Sequence, residues 1–86
     1  MMICKECGAT MYLDDKDYDF KGKYDNYWNC PNCQTSCIEE VRFSKRHREL
    51  WHSENNGVKD TTIKYNYHNG TIEYYENNKL IATKPL

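Results

Sequence analysis

Two cysteine pairs, Cys4-Lys5-Glu6-Cys7 and Cys30-Pro31-Asn32-Cys33, carry the most definite chemistry in this chain. Two residues between thiols let both sulfurs of a pair reach one ion from a single tight turn. Two such turns supply four thiolates, the complete tetrahedral shell of a structural Zn²⁺, with no coordination position left open for catalysis. Gly8 follows Cys7 directly, where a metal knuckle needs positive φ and glycine takes it at little cost. Backbone N–H groups of the turn and nearby Lys5 can then offset the negative charge of the thiolates. The second pair has Gln34 at the equivalent place.

A fifth thiol, Cys37, lies outside the paired spacing and reads as a small, half-buried hydrophobe on a strand. An odd cysteine count argues against a secreted disulfide framework. The chain as given runs from Met1 straight into the first knuckle, with no basic and apolar leader pattern. No apolar run approaches the ~20 residues that cross a bilayer. Reduced, metal-bound cysteines suit the cytoplasm, so a cytoplasmic location without membrane contact is expected.

The elements that must position these thiols are sparse in apolar residues. Of 86 residues 38% are hydrophobic, so the core is small and a metal staple makes up for it. Residues 1–43 offer few aliphatic side chains, and a structural zinc worth on the order of 10–16 kcal/mol would decide whether they fold. Thr10–Leu13 reads as a short strand, 14–23 as a charged hairpin tip, Tyr24–Asn29 as the return, and Thr35–Phe43 as a further strand. Ser44 is a plausible N-cap for a short helix of about ten residues, and Asn55-Asn56-Gly57 is its stop. Thr62–His68 alternates strictly before Asn69-Gly70, a favoured two-residue turn, and Asn77-Asn78 offers another. These turns pair Tyr67 with Ile72, Tyr65 with Tyr74, Tyr75 with Leu80 and Tyr74 with Ile81. The expected fold is therefore a small β-rich α+β protein. It comprises a zinc ribbon over 1–43, a short helix over 44–57 and a three-stranded antiparallel meander over 58–86, forming one compact domain.

Through residue 33 the chain resembles the zinc-ribbon group, with Cys-x2-Cys-Gly, a hairpin of a little over twenty residues, and aromatic-Asn-Cys-Pro-x-Cys. The resemblance covers residues 1–43 and implies that Cys4, Cys7, Cys30 and Cys33 hold one structural zinc. It implies little about function, because ribbons occur in transcription factors, ribosomal proteins and small adaptors. A composition rich in Lys, Asn, Tyr and Asp suits a low-GC genome, and a small single-ribbon protein suits a bacteriophage or mobile element.

Charge is unevenly spread behind a net value of −1. Residues 1–43 carry five Lys/Arg and eight Asp/Glu, a balance of −3, and residues 44–86 carry seven and five, a balance of +2. Lys45, Arg46 and Arg48, with Trp51 one helical turn on, would form a phosphate-contacting patch with a stacking aromatic. At the hairpin tip, Tyr18 and Phe20 stand among Asp14, Asp15, Asp17 and Asp19, a mixture suited to a basic groove on a protein. Eight tyrosines in the chain suit a half-exposed sheet that binds other proteins.

No phosphate-cradling glycine loop and no carboxylate pair set by a motif supports an enzyme or a small-molecule substrate. The expected function is a non-enzymatic, protein-binding regulator or inhibitor. The alternative is a nucleic-acid-binding zinc ribbon in transcription or its regulation. A near-neutral chain gains little from counterion release, which favours the protein partner.

Overall fold

The structure, a computed structural model, describes residues 1–18, 22–42 and 46–86, and of residue 46 the backbone alone. Seven strands follow one another: β1 (Tyr12–Tyr18), β2 (Tyr24–Asn29), β3 (Thr35–Val41), β4 (Arg46–Ser53), β5 (Lys59–Asn66), β6 (Thr71–Glu76) and β7 (Lys79–Pro85). Each pairs antiparallel with the next, giving one continuous sheet in the order β1 to β7. The molecule is correspondingly thin, 34 × 31 × 19 Å.

Alternation along the strands divides the sheet into two faces. On the inner face Trp28 stands opposite Cys37, Cys37 opposite Trp51 and Trp51 opposite Thr61. Ile63 follows on β5, and Met2 and Met11 from the N-terminal segment join Cys37, Trp51 and Ile63 in one buried cluster. Cys4 and Cys30 belong to the same cluster and Cys33 packs against it, while Cys7 is exposed, so three of the four paired thiols are continuous with the core. The outer face is only half buried. Both edges are defended against further strand pairing: β1 is exposed along its whole length and carries Asp14, Asp15, Lys16 and Asp17, and β7 carries Lys79, Lys84 and Pro85.

This architecture corrects the α+β expectation. Among the described residues there is no helix, and Arg46–Ser53 of the expected 44–57 helix form a central strand. A ten-residue helix is marginal alone, and His, Trp and Ser favour it weakly. As a strand the same segment gains ladders on both sides and finds charge partners across them. Arg48 meets Glu40, and His52 Nδ1 lies 2.6 Å from Asp60 Oδ1. The proposed N-cap Ser44 lies outside the described residues. The ribbon expected over 1–43 and the meander expected over 58–86 are joined in one sheet, with β4 pairing β3 on one side and β5 on the other.

The register of the last strands also differs. Tyr65 faces Ile72, and Ile63 faces Tyr74. Asn66 Oδ1 accepts the backbone N–H groups of His68 (3.1 Å) and Asn69 (3.2 Å), which opens the turn to residues 67–70 in place of a two-residue turn. At the next turn Asn77 and Asn78 both adopt positive φ, 50° and 66°. Glu76 faces Lys79 and Tyr75 faces Leu80 there, as the sequence suggests. A bulge then absorbs Ile81 and brings Ala82 opposite Tyr74.

Candidate metal centre

The first knuckle hangs on the isolated bridge between Ile3 and Thr10. Cys4 N–H donates to Ala9 O at 2.9 Å, and Gly8 N–H donates to Cys4 O at 2.8 Å. The second closure needs Gly8 at φ 79°, a conformation that costs a side-chain-bearing residue about 1–2 kcal/mol. The second knuckle is the β2–β3 connection, closed by Cys30 N–H donating to Thr35 O at 3.0 Å.

Folding brings the two knuckles together. Sulfur separations are 3.7 Å for Cys4–Cys33, 3.4 Å for Cys7–Cys30 and 3.6 Å for Cys30–Cys33. All four sulfurs lie within 4.8 Å of one another. Bonds of about 2.3 Å to a tetrahedral ion would place sulfurs about 3.8 Å apart, so the four thiols can hold a metal with little movement. The charge environment is graded. The Ala9 amide, then Asn32 and Cys30, pull the Cys7 thiol down to about 6, while burial pushes Cys30 up to about 11. A cation shared by all four would offset the burial cost that opposes ionisation of Cys30. Cys37 takes no part: it is 1% exposed on the inner face, and burial beside Glu49 and Glu39 pushes its thiol far up.

A polar network behind the second knuckle answers the absence of a glycine after Cys33. Gln34 N–H donates to Asn55 Oδ1 at 2.8 Å. Asn55 Nδ2 donates to Thr35 Oγ1 (3.2 Å) and Ser53 Oγ (3.0 Å). Cys33 Sγ lies 3.1 Å from Thr35 Oγ1, and Thr35 and Ser53 are buried. Thr35, Ser53 and Asn55 were invisible as metal-site residues in the sequence, where Asn55 read as a helix stop. Thr35→Val should weaken metal binding about 10- to 100-fold, the range for lost outer-shell hydrogen bonds, with the fold retained. Competition against a chromophoric chelator reads this directly, and an unchanged affinity would show that the hydroxyl does not support Cys33.

The expected partner contacts disperse. Trp51 is 5% exposed, with its Nε1 donating to Glu49 Oε1 at 3.0 Å, so it offers no stacking surface. Arg48 points to the opposite face and pairs with Glu40. Arg46 begins β4, while Lys45 and Phe20 lie outside the described residues. Tyr18 is 68% exposed at the end of β1, its ring 5.7 Å from that of Tyr24. None of the described residues form a helix long and apolar enough to cross a membrane. Comparisons with protein-family models, curated proteins and solved structures return no match for this chain.

Proposed function

We propose that the chain is a small, non-enzymatic, zinc-stapled module that acts by binding another protein, as a regulator or inhibitor. Zinc is the ion best suited to four thiolates in a closed tetrahedral set, and its role here is structural. The observation that carries the binding role is the outer face of the sheet. Tyr27, Ile38, Leu50, Thr62, Tyr75 and Leu80 are successive cross-strand partners and form one row over six strands. The row is half buried to exposed, and Leu80 at its end is 50% exposed. A row of this length, aliphatic or aromatic but for Thr62 and without a second layer among the described residues, is a protein-interaction surface in character.

The neighbouring row on the same face runs Glu40, Arg48, Lys64, Glu73, two cations flanked by a carboxylate on either side. Mixed charge suits a protein surface and supplies little attraction for a polyanion. The nucleic-acid reading also loses its stacking residue, since Trp51 is in the core.

The test uses metal-loaded protein as bait in extract of the source cells, treated with nuclease. Capture of a protein should survive nuclease and be lost in the double variant Leu50→Lys, Tyr75→Lys, provided its metal content and thermal midpoint stay close to wild type. Sub-micromolar binding of labelled DNA or RNA, steeply salt-dependent and lost on changing Lys45, Arg46 and Arg48 to alanine, would reverse the ordering.

A further inference from the structure

The inner face carries a second cluster of donors beyond the buried core. Glu39 on β3 and Glu49 on β4 are direct cross-strand partners. Like charges in that position destabilise a sheet unless something lies between them. His47, two residues before Glu49 on the same strand, shares their face. Its Nε2 is 3.6 Å from Glu39 Oε2 and 3.9 Å from Glu49 Oε2. Donor atoms of the three residues fall within 4.8 Å of one another. Bonds of about 2.1 Å to one ion would place adjacent donors about 3–3.5 Å apart, close to what is found.

The carboxylates are held for this arrangement from behind. Glu39 Oε1 accepts Asn26 Nδ2 at 2.8 Å and Trp28 Nε1 at 3.2 Å, and Glu49 Oε1 accepts Trp51 Nε1 at 3.0 Å. Both tryptophans of the chain therefore donate to Oε1 of this pair, and Oε2 of each glutamate is the oxygen that approaches His47. Tyr65 stands edge-on to the His47 ring, with centroids 5.2 Å apart. Asn26, 7% exposed, backs the cluster: its Nδ2 is committed to Glu39 Oε1, while its Oδ1 is buried without a hydrogen-bond partner among the described residues. Leaving that oxygen unpaired costs about 1–3 kcal/mol, so the amide is held in place to orient the carboxylate at a cost to the fold.

We infer that Glu39, His47 and Glu49, supported by Asn26, form a second metal site for a divalent first-row transition ion, distinct from the four-thiolate centre. One imidazole and two carboxylates make a nitrogen–oxygen set that suits Zn²⁺, Co²⁺, Mn²⁺ or Fe²⁺, and it contains no sulfur. Three protein donors leave positions open for water or an outside ligand, unlike the closed cysteine shell. The ion would also neutralise the facing glutamates.

The test takes the full chain with its cysteine site loaded with zinc and free metal removed, then titrates Co²⁺. One further equivalent should bind with a visible d–d band and no sulfur-to-cobalt charge transfer, and NMR should show broadening at the His47 ring before those of His52 and His68. Glu49→Gln and His47→Gln should each abolish that equivalent, and Asn26→Ala should weaken it about tenfold or more. Native tryptophan fluorescence and retained zinc would show that the variants are folded; Glu39→Gln serves in place of one that is not. No additional Co²⁺ bound at millimolar concentration, binding only with charge transfer from sulfur, or wild-type binding by Glu49→Gln and His47→Gln would each overturn the assignment.

Discussion

Stripping the metal from the four-thiolate centre should unfold the inner face of the whole sheet, well beyond the two knuckles. Cys4 and Cys30 share one buried cluster with Met2, Met11, Cys37, Trp51 and Ile63. The N-terminal segment that contributes Met2 and Met11 is tied down by the first knuckle. Without the ion, four thiols at 3.4–3.7 Å contacts have nothing to hold them, and the cover over Trp51 departs. A structural zinc contributes on the order of 10–16 kcal/mol. Total domain stability is only about 5–15 kcal/mol, so the loss is decisive. From the turns alone the C-terminal strands would be expected to outlast the ribbon. The shared core argues that β5 and β6 lose protection with it, because Ile63 is buried in the cluster and Tyr65, Ile72 and Tyr74 pack against it. Chelation followed by hydrogen exchange and tryptophan emission is the measurement. Protected amides in β3–β5 and unshifted emission in metal-free protein would refute the coupling. Metal analysis should give an unchanged cysteine-site content for Cys37→Ser and a sharp fall for Cys30→Ser.

Trp51→Ala should destabilise the metal-loaded protein by about 3–5 kcal/mol, the cost of removing a large aromatic side chain from a packed core. Trp51 sits between Cys37 and Thr61 across the central strands and is 5% exposed. Its indole N–H also satisfies Glu49, so truncation orphans a half-buried carboxylate oxygen. Trp51→Phe should recover most of the packing but not the hydrogen bond. Urea denaturation of the zinc-loaded forms separates the two contributions. A loss below about 1 kcal/mol for the alanine variant would contradict the buried placement and return Trp51 to the surface, where the nucleic-acid reading needs it.

What the sequence determined by itself was local. The thiol spacing of Cys4, Cys7, Cys30 and Cys33, with Gly8, marks a metal-binding set because ligand geometry within each turn is settled by two intervening residues. Asn77-Asn78 specified its turn for the same reason, since its two positive φ values are a property of the residues there. The Asn69-Gly70 turn departs from the two-residue form those residues favour because a side chain three residues upstream, Asn66, captures the turn amides.

Tertiary structure alone decided the rest. Residues 46–53 have no strong intrinsic preference, and two neighbouring strands offering Glu40, Cys37, Thr61 and Asp60 as partners made them a strand. That outcome moved Trp51 from a presumed surface to the core and placed Arg48 on the other face. The outer apolar row and the Glu39–His47–Glu49 cluster depend on register across hairpins. A one-residue slip would send every member to the opposite face, and register of that kind comes from the summed packing of the sheet rather than from any short run of residues.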